Sequence, residues 1–484
     1  MIQSKSLIVT KFQQTSINSK ICFGSAGLLF PGDPGVPNTL MNSDYGYWEP
    51  RIGLAYQPKA LPHTVFHAGV GIFTGPLQYS EYNHAADVAP FSPTFNFSGW
   101  CYPCSADAPL AGGIISFDNP WSASGAGSPY ATSPFPGTFP WATTSLKPAK
   151  TVAIPKGQVG QEFSRNFKLP TTYAWNVSIE HQLTATTGFR AAYVGSETEH
   201  LSVAIDMNPP YASKLPVNSN MGDIFEDQSW ATASYSSLQM SLDQHLWHGL
   251  QVQSSFTWSH TLDIASSSNI SFGNPALGNP ISAAWNRGNA NQDMPWNWIS
   301  NFIYQAPSFK EKGKLMAETV GGWQLSSIIT AQKGNPFSIG QWNTDPGVGM
   351  WNNRADFVSG IASNMGKGSR SDWANQSKGY FNEAAFTLPI SCNDKTPGWC
   401  GFGNTSRNAY WGPGVFGIDS SIMKNWTLME GKTFQLRWDA FNATNHPNFG
   451  NPSSTVNQAP GVFGVISGMN GHPRIFQGAL RLTF

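Results

Sequence analysis

The sequence has few charged residues and no long apolar run. Asp, Glu, Lys and Arg make up 12% of the 484 residues, about half the usual share in soluble proteins. Basic and acidic residues are equal in number, so no basic excess indicates nucleic-acid binding. No segment reaches the ~18 consecutive apolar residues that a membrane helix needs. Two classes remain: a large soluble β-protein, and a membrane barrel whose strands alternate apolar and polar residues.

Cysteine is also scarce, with five in the chain. The spacing of Cys101 and Cys104 is that of a redox pair or half a zinc site. No second CxxC or paired His completes the four ligands that zinc requires. The alternative is two loop disulfides, Cys101–Cys104 and Cys392–Cys400, in an oxidising compartment, with Cys22 left over. We therefore expect no metal site and no cofactor.

Aromatic residues are plentiful, at 13% with 19 Trp, and they alternate with polar residues. The last ten residues, IFQGALRLTF, place Phe476, Leu480, Leu482 and Phe484 on one side of a strand. Gln477, Ala479, Arg481 and Thr483 fall on the other side. The chain is predicted to end in a strand with one apolar and one mostly polar face.

Similar alternation predicts roughly eleven strands along the chain. The clearest pair is Tyr235–Leu246 and Leu250–Ser259, joined by a tight WHG turn. In that hairpin Leu238 and Met240 alternate with Gln239 and Ser241. Further strands are predicted to start near Ile52, Thr64, Tyr173, Phe189, Trp298, Trp323, Val415, Phe434 and Ile475.

Short turns alternate with long segments rich in Gly, Pro, Ser and Asn. Outer-membrane barrels have short periplasmic turns and long extracellular loops. A ten-residue strand tilted ~40° rises about 25 Å, which matches the apolar band of a barrel wall. The pattern predicts an all-β, antiparallel transmembrane β-barrel in the outer membrane, in contact with its lipid, with loops that contact a ligand. The long loops are predicted at 74–171, 201–234, 261–296, 333–414 and 442–474.

Eleven strands are an odd number, whereas bacterial barrels use even numbers. The first twenty residues also lack the apolar run and cleavage site of a signal peptide. We therefore expect the C-terminal part of a larger protein. Residues 1–51 are predicted to be a loop segment with a truncated start, and residues 52–484 the C-terminal portion of the barrel.

Patterns for catalysis are weak. The segment GVGIFTG lacks the spacing of a phosphate-binding loop, and no GxSxG nucleophile motif is present. Glu197–His200 is predicted to be a polar strand end at the outer rim, and Asp243 and His245 to face the lumen. We expect no enzyme. Five Trp are predicted to lie at the membrane interfaces, namely Trp48, Trp175, Trp258, Trp323 and Trp438. Four are candidates for stacking on a carbohydrate: Trp285, Trp296, Trp342 and Trp351.

Several motifs resemble the barrel of Oar-like TonB-dependent receptors. They include WEPRIGLAYQP, TTYAWNVSIEHQL, GGWQLSSIITAQKGNPFSIG, FQLRWDAFNATNHPNFGNP and the terminal RIFQGALRLTF. The resemblance covers about residue 25 to 484. It implies a barrel of about 22 strands with a plug, and energy from the TonB complex through N-terminal parts that this sequence does not show. It also implies that the barrel assembly machinery recognises the terminal strand, with Phe476, Leu480, Leu482 and Phe484 on its apolar side.

Two functions of different class follow from these observations. The first is a receptor-transporter that captures an unknown ligand and takes it up when joined to its plug and first strands. The second is a secreted or surface-anchored β-rich protein for adhesion or binding. The polarity of the strands separates them, because a membrane barrel turns its apolar faces outward and a soluble β-protein turns them inward.

Overall fold

The computed structural model describes residues 41–76, 158–207, 221–266, 282–341, 353–375, 378–389, 401–456 and 461–484. These residues form strands and a few short helices. The strands are β1 (Arg51–Tyr56), β2 (Thr64–Thr74), β3 (Gln158–Phe163), β4 (Thr171–Thr184), β5 (Thr187–Asp206), β6 (Met221–Trp247), β7 (Leu250–Asp263), β8 (Gly288–Asn289), β9 (Trp296–Gln305), β10 (Trp323–Gln332), β11 (Pro336–Phe337), β12 (Asp356–Phe357), β13 (Phe386–Thr387), β14 (Tyr410–Trp411), β15 (Val415–Met429), β16 (Lys432–Phe441) and β17 (Ile475–Thr483). The α-helices are α1 (Ala283–Asn286), α2 (Lys314–Thr319) and α3 (Arg370–Trp373), with 3-10 turns at Lys310–Lys312 and Glu383–Ala385. None of the described helices is long and apolar enough to cross a membrane.

Thirteen of these strands form one sheet, and eleven of them follow one another in the order β1-β2-β4-β5-β6-β7-β9-β10-β15-β16-β17, while β3 pairs with β6 and β8 pairs with β7 beside this path. Each neighbouring pair along this path is antiparallel. Consecutive strands of this path are therefore hydrogen-bonded neighbours. The antiparallel architecture and its eleven described strands confirm the sequence prediction.

The two faces of this sheet have opposite character. One row of paired residues runs Val177, Tyr193, Leu238, Trp258 and Trp296 across five strands. The residues that share this side form the apolar face, and those between them form the polar face. The apolar face includes Leu54, Val70, Val177, Tyr193, Trp258, Leu325, Ile422, Trp438 and Leu480, all exposed. The polar face includes Asn176, Gln239, Thr257, Asn301, Asp439 and Gln477.

Tight turns join alternate strands at one rim. The β6–β7 turn consists of His248 and Gly249 with φ of 49° and 84°, the left-handed pair that suits a two-residue hairpin. The β15–β16 turn has Gly431 at φ 76°. The β9–β10 connection, residues 306–322, is longer and carries α2. The other long connections, those after β2, β5, β7, β10 and β16, lie at the opposite rim.

The structure corrects the predicted loop at 201–234. β5 continues to Asp206 and β6 begins at Met221, so both strands extend well beyond the membrane band. Alternating apolar residues explain the extension, because Val203, Ile205 and Ala231 are buried there with Ile264. Glu197–His200 therefore lies within β5 and not at its end. The predicted loop 74–171 also contains β3, which pairs in parallel with the first residues of β6, Met221 to Asp227.

Candidate functional site

The long loops above the sheet fold into a packed unit. The described parts of 333–414 and 442–474 are called the loop cap here. Its interior is aromatic: the Phe381 ring lies 5.0 Å from Phe463 and 5.6 Å from Phe386. Since these contacts join residues from both loops, the cap has its own core outside the barrel wall. The buried members are Phe337, Ile339, Ala355, Tyr380, Phe381, Ala385, Phe386, Phe463 and Ile466.

Short strand pairs and a capped helix hold the cap together. β11 pairs with β14 and β12 pairs with β13. At α3, the Ser369 side chain accepts from the Asp372 backbone N–H, and the Asp372 carboxylate accepts from the Ser369 N–H at 2.9 Å. Lys378 Nζ donates to Asp372 at 2.7 Å, and this hydrogen bond is the largest factor that lowers the pKa of Asp372 to about 2. The Ile466 N–H donates to the Trp373 carbonyl at 3.0 Å, which joins the second loop to α3.

A buried arginine fixes α1 to the cap. The Arg354 guanidinium lies 3.4 Å from the centre of the Trp285 ring and donates to the Trp285 carbonyl at 2.6 Å. Trp285 Nε1 donates to the Gly403 carbonyl at 2.7 Å. A side chain at Gly403 would overlap the Arg354 carbonyl, so this close approach requires glycine. Burial lowers the pKa of Arg354 to about 10, which leaves it cationic at neutral pH.

A second arginine joins the cap to the end of β7. Arg407 forms an ion pair with buried Asp263, donates to the Asp263 carbonyl at 2.8 Å and donates to the Asn286 carbonyl at 2.8 Å. Burial lowers the pKa of Arg407 to about 10. Asn408 follows at φ 50° and donates to the Asn289 carbonyl at 2.7 Å. Three long connections, those after β7, β10 and β16, thus form one unit at the long-loop rim.

The extended strands β5 and β6 make a second ordered region at this rim. The pairing of β7 with β6 begins at Ala233, so one edge of β6 is free before this residue. β3 pairs with this edge at residues 221–227. The Ser164 N–H donates to the Asp227 carbonyl at 2.8 Å, which continues this pairing. Glu226 lies outside the membrane band, and burial raises the pKa of its carboxyl against the hydrogen bonds from Gln228 and Ser164. The side-chain hydrogen bond from Gln228 is 2.7 Å long.

The polar face carries charges near the tight-turn rim. Arg190 Nε lies 3.3 Å from a Glu180 oxygen, and His67 Nε2 lies 3.9 Å from the other. Arg190 and Glu180 border a cleft of about 470 Å³ that Asp243 and His63 also line. Asp243 is in register with Gln253 on the polar face, as its predicted position facing the lumen requires. The cleft is open and is lined mostly by polar side chains.

Three of the four predicted assembly residues lie in β17, at one end of the described sheet, and Phe484 directly follows the strand. Phe476, Leu480, Leu482 and Phe484 are all exposed, and β17 pairs with β16. Among the tryptophans, Trp175 and Trp258 lie toward the long-loop end, and Trp323 lies at the tight-turn rim. Outside the described residues lie Cys22, Cys101, Cys104, Cys392, Cys400, Trp342 and Trp351.

Sequence reasoning missed two arginines of the loop cap, buried Arg354 and half-buried Arg407. Arg354 and Arg407 stand in polar segments, WNNRADF and TSRNAYW, that have no periodic pattern. Their partners Trp285 and Asp263 are distant in sequence, so only the fold brings them together. Trp285, one of the candidates for stacking on a carbohydrate, has Arg354 over a face of its ring. Among the described residues no cluster of His, Cys, Asp or Glu could hold a metal ion.

The apolar face decides the class of protein. Large apolar side chains stand exposed across the whole sheet, far more than a soluble monomer presents. With a polar inner face and long loops at one rim, this arrangement is that of an outer-membrane β-barrel. A family model described as "Outer membrane beta barrel domain" matches residues 3–477. The chain belongs to this family, and its place is the outer membrane.

Comparison with curated proteins finds no match. Among solved structures, the outer membrane transporter YddB from Escherichia coli is similar at 11% identity and TM-score 0.45, over 92% of this chain and 41% of that one. The FrpB iron transporter from Neisseria meningitidis follows at 10% and 0.37, over 90% and 38%. BauA, the ferric preacinetobactin receptor from Acinetobacter baumannii, has 10% and 0.38, over 90% and 36%. The chain thus spans less than half the length of these proteins.

Proposed function

We propose that this chain is the C-terminal part of the barrel of an Oar-like TonB-dependent receptor. In this proposal the loop cap captures a ligand outside the cell, and the polar face lines the path inward. The plug and the remaining strands come from sequence outside this chain. The role is binding and transport, not catalysis.

The observation that carries the proposal is the cap itself. Most connections between strands need only about 2–6 residues, yet here three loops are joined through Arg354, Arg407 and an aromatic core. Ordering so much chain costs conformational entropy, about 1–2 kcal/mol for each residue's backbone. A cap that only closed a turn would not need this structure. Its position at the long-loop rim supports ligand capture coupled to passage.

Uptake is tested genetically. A strain without this gene is compared with its parent on ferric chelates, glycans or peptides as the sole source of iron, carbon or nitrogen, with and without a functional TonB complex. We expect the strain without the gene to grow less well than its parent on at least one substrate. When TonB is absent from both strains, we expect the two to grow equally. A defect of equal size without TonB would contradict uptake and favour surface binding or adhesion.

The cap is tested with two matched variants. Arg407→Met removes a cation that holds Asp263 and Asn286, whereas Arg287→Met removes an exposed cation with long hydrogen bonds of 3.3 and 3.5 Å. We expect Arg407→Met to lower growth on the identified substrate and Arg287→Met to leave it unchanged. Equal effects would show that the cap is not the capture surface.

We further propose that the barrel assembly machinery recognises β17. The supporting observation is the exposed apolar face of this strand, with Phe484 84% exposed at its end. Phe484→Ala is expected to reduce the folded protein in the outer membrane, measured by heat-modifiable migration in gels. Met469→Ala, at another exposed apolar position outside the strand, is the control. Equal amounts of both folded variants would contradict this role.

A further inference from the structure

The connection between β9 and β10 folds back onto the outer wall. Residues 306–322 are the longest connection at the tight-turn rim, and they include α2. The end of α2 reaches Lys424, which lies on the apolar face because its register partners are Trp323 and Leu436. This places α2 outside the barrel, at the level where the wall meets the periplasmic surface of the membrane.

Lys424 holds the helix in place. Its Nζ donates to the carbonyls of Ala317 at 3.0 Å and Glu318 at 2.6 Å, and the residue is only 3% exposed. The last carbonyls of a helix carry partial negative charge, so they suit an ammonium group. This contact gives a cation on the apolar face partners that it would otherwise lack.

Two tryptophans complete the clamp around Lys424. Trp426 Nε1 donates to the Glu318 carbonyl at 3.0 Å, and Trp323 Nε1 donates to the Thr319 carbonyl at 2.8 Å. The ammonium lies 5.2 Å from the Trp426 ring and 5.8 Å from the Trp323 ring, within the range of cation–π attraction. The polar groups at the end of α2 are thereby satisfied against the wall.

The clamp leaves an apolar surface uncovered. Leu315 is 78% exposed, Val320 50% and Met316 38%. Three exposed lysines, Lys310, Lys312 and Lys314, stand at the start of the same segment. Apolar residues beside lysines are typical of segments that lie in the interface of a membrane.

We propose that α2 is an interfacial anchor that inserts Leu315, Met316 and Val320 into the periplasmic leaflet of the outer membrane. The three lysines contact the phosphates of anionic phospholipids. The phospholipid is the occupant because this surface continues the lipid-facing wall at Trp323 and Trp426. The proposal depends on the orientation of the barrel and not on transport.

A fluorescent probe at Leu315 tests the insertion. The full-length protein is produced with a dansyl amino acid at position 315. It is reconstituted in vesicles of phosphatidylethanolamine and phosphatidylglycerol. We expect blue-shifted emission, and quenching that is stronger by lipids brominated near the carbonyl end of the chain than near its terminus, since interfacial segments lie ~5–10 Å deep. The same probe at exposed Glu430, in the β15–β16 turn, is the control and should remain unquenched.

Two variants test the parts of the anchor. Lys424→Met is expected to lower quenching at position 315, because it releases α2 from the wall. If this variant does not fold, the comparison of positions 315 and 430 in the chain with Lys424 still decides the question. Replacing the three lysines by Gln should abolish the extra quenching that phosphatidylglycerol gives over phosphatidylcholine. Equal emission at positions 315 and 430 would overturn the proposal. Shielding that appears in detergent and increases with protein concentration would also overturn it, because it would identify a second copy as the occupant.

Discussion

The strongest test of the barrel orientation is a positive charge on β17. Leu480 lies on the apolar face, is 70% exposed and is paired with Leu436, which offers no hydrogen-bond acceptor from its side chain. In Leu480→Arg the guanidinium must therefore face lipid or turn toward the rim. The variant is expected to be less stable than the parent.

The magnitude follows from depth in the membrane. Leu480 is three positions before Thr483, the last residue of the strand, so it lies ~8 Å inside the rim at a tilt of ~40°. The midplane of a ~25 Å band lies at ~12 Å. A lipid-facing Arg costs ~2–4 kcal/mol at the midplane and ~0–1 near an interface. We expect about 2 kcal/mol, or roughly a 30-fold fall in the ratio of folded to unfolded protein.

The matched control adds the same charge to the other face of the strand. Gln477 is on the polar face and is paired with Asp439, whose carboxylate already accepts from Arg437 Nε at 2.8 Å. Gln477→Arg is expected to change stability by less than about 0.5 kcal/mol. Both variants are measured by urea unfolding in lipid vesicles and by the heat-modifiable fraction in the outer membrane.

The comparison has a clear refuting result. If Gln477→Arg is destabilising and Leu480→Arg is neutral, the apolar face does not contact lipid. The strands would then have the polarity of a soluble β-protein. Equal loss in both variants would show that any charge on this strand disturbs folding, which would remove the argument from depth.

Three further predictions concern the tight turns, the extension of β6 and the loop cap. Gly249→Ala should impair folding more than Gly431→Ala: both have positive φ, but only at Gly249 would the new side chain overlap the Gln305 carbonyl, and parity of folded yields would contradict this. The pKa of the Glu226 carboxyl is raised in the folded protein, so the folded region binds a proton more tightly than the unfolded chain does. The stability of this region is therefore highest below the ordinary pKa of Glu, and it falls as the pH rises through the pKa of Glu226 in the folded protein. Amide hydrogen exchange in β3 and in residues 221–227 of β6 should therefore become faster with rising pH after correction for intrinsic rates, and Glu226→Gln should remove this pH dependence. The same pH dependence in Glu226→Gln as in the parent would refute this prediction. Trp285→Ala should expose the cap to proteases while the barrel stays heat-modifiable, because it removes the ring under Arg354, a contact worth ~0.5–2 kcal/mol; unchanged cleavage would contradict this.

Much of the wall was predictable from the sequence. Alternation with a period of two places every second side chain on one face, so the partition of Leu238 and Gln239 follows from the chain itself. Turn residues with positive φ, such as Gly249 and Gly431, mark where hairpins close. These are local properties, and the eleven strands, the antiparallel order and the two faces are correct for that reason.

The extensions of β5 and β6 beyond the membrane were predictable from the sequence only in part. Leu201, Val203 and Ile205 alternate as strand residues do, but the length expected for a membrane strand ended the prediction too early. The burial of Val203 and Ile205 depends on Ala231 and Ile264. A pattern alone does not show whether such partners exist.

The sequence by itself determined where the eleven strands of the wall lie, which face each of their residues is on and where the tight turns are, because each depends on residues within a few positions of one another; it did not determine how far β5 and β6 extend. Only the tertiary structure decided the loop cap, where Arg354 meets Trp285 and Arg407 meets Asp263 across 69 and 144 positions. It also decided the clamp of Lys424 on α2, 107 positions away from Ala317. A cation buried in this way is stable only when distant carbonyls and rings converge on it, and no local periodicity records that convergence.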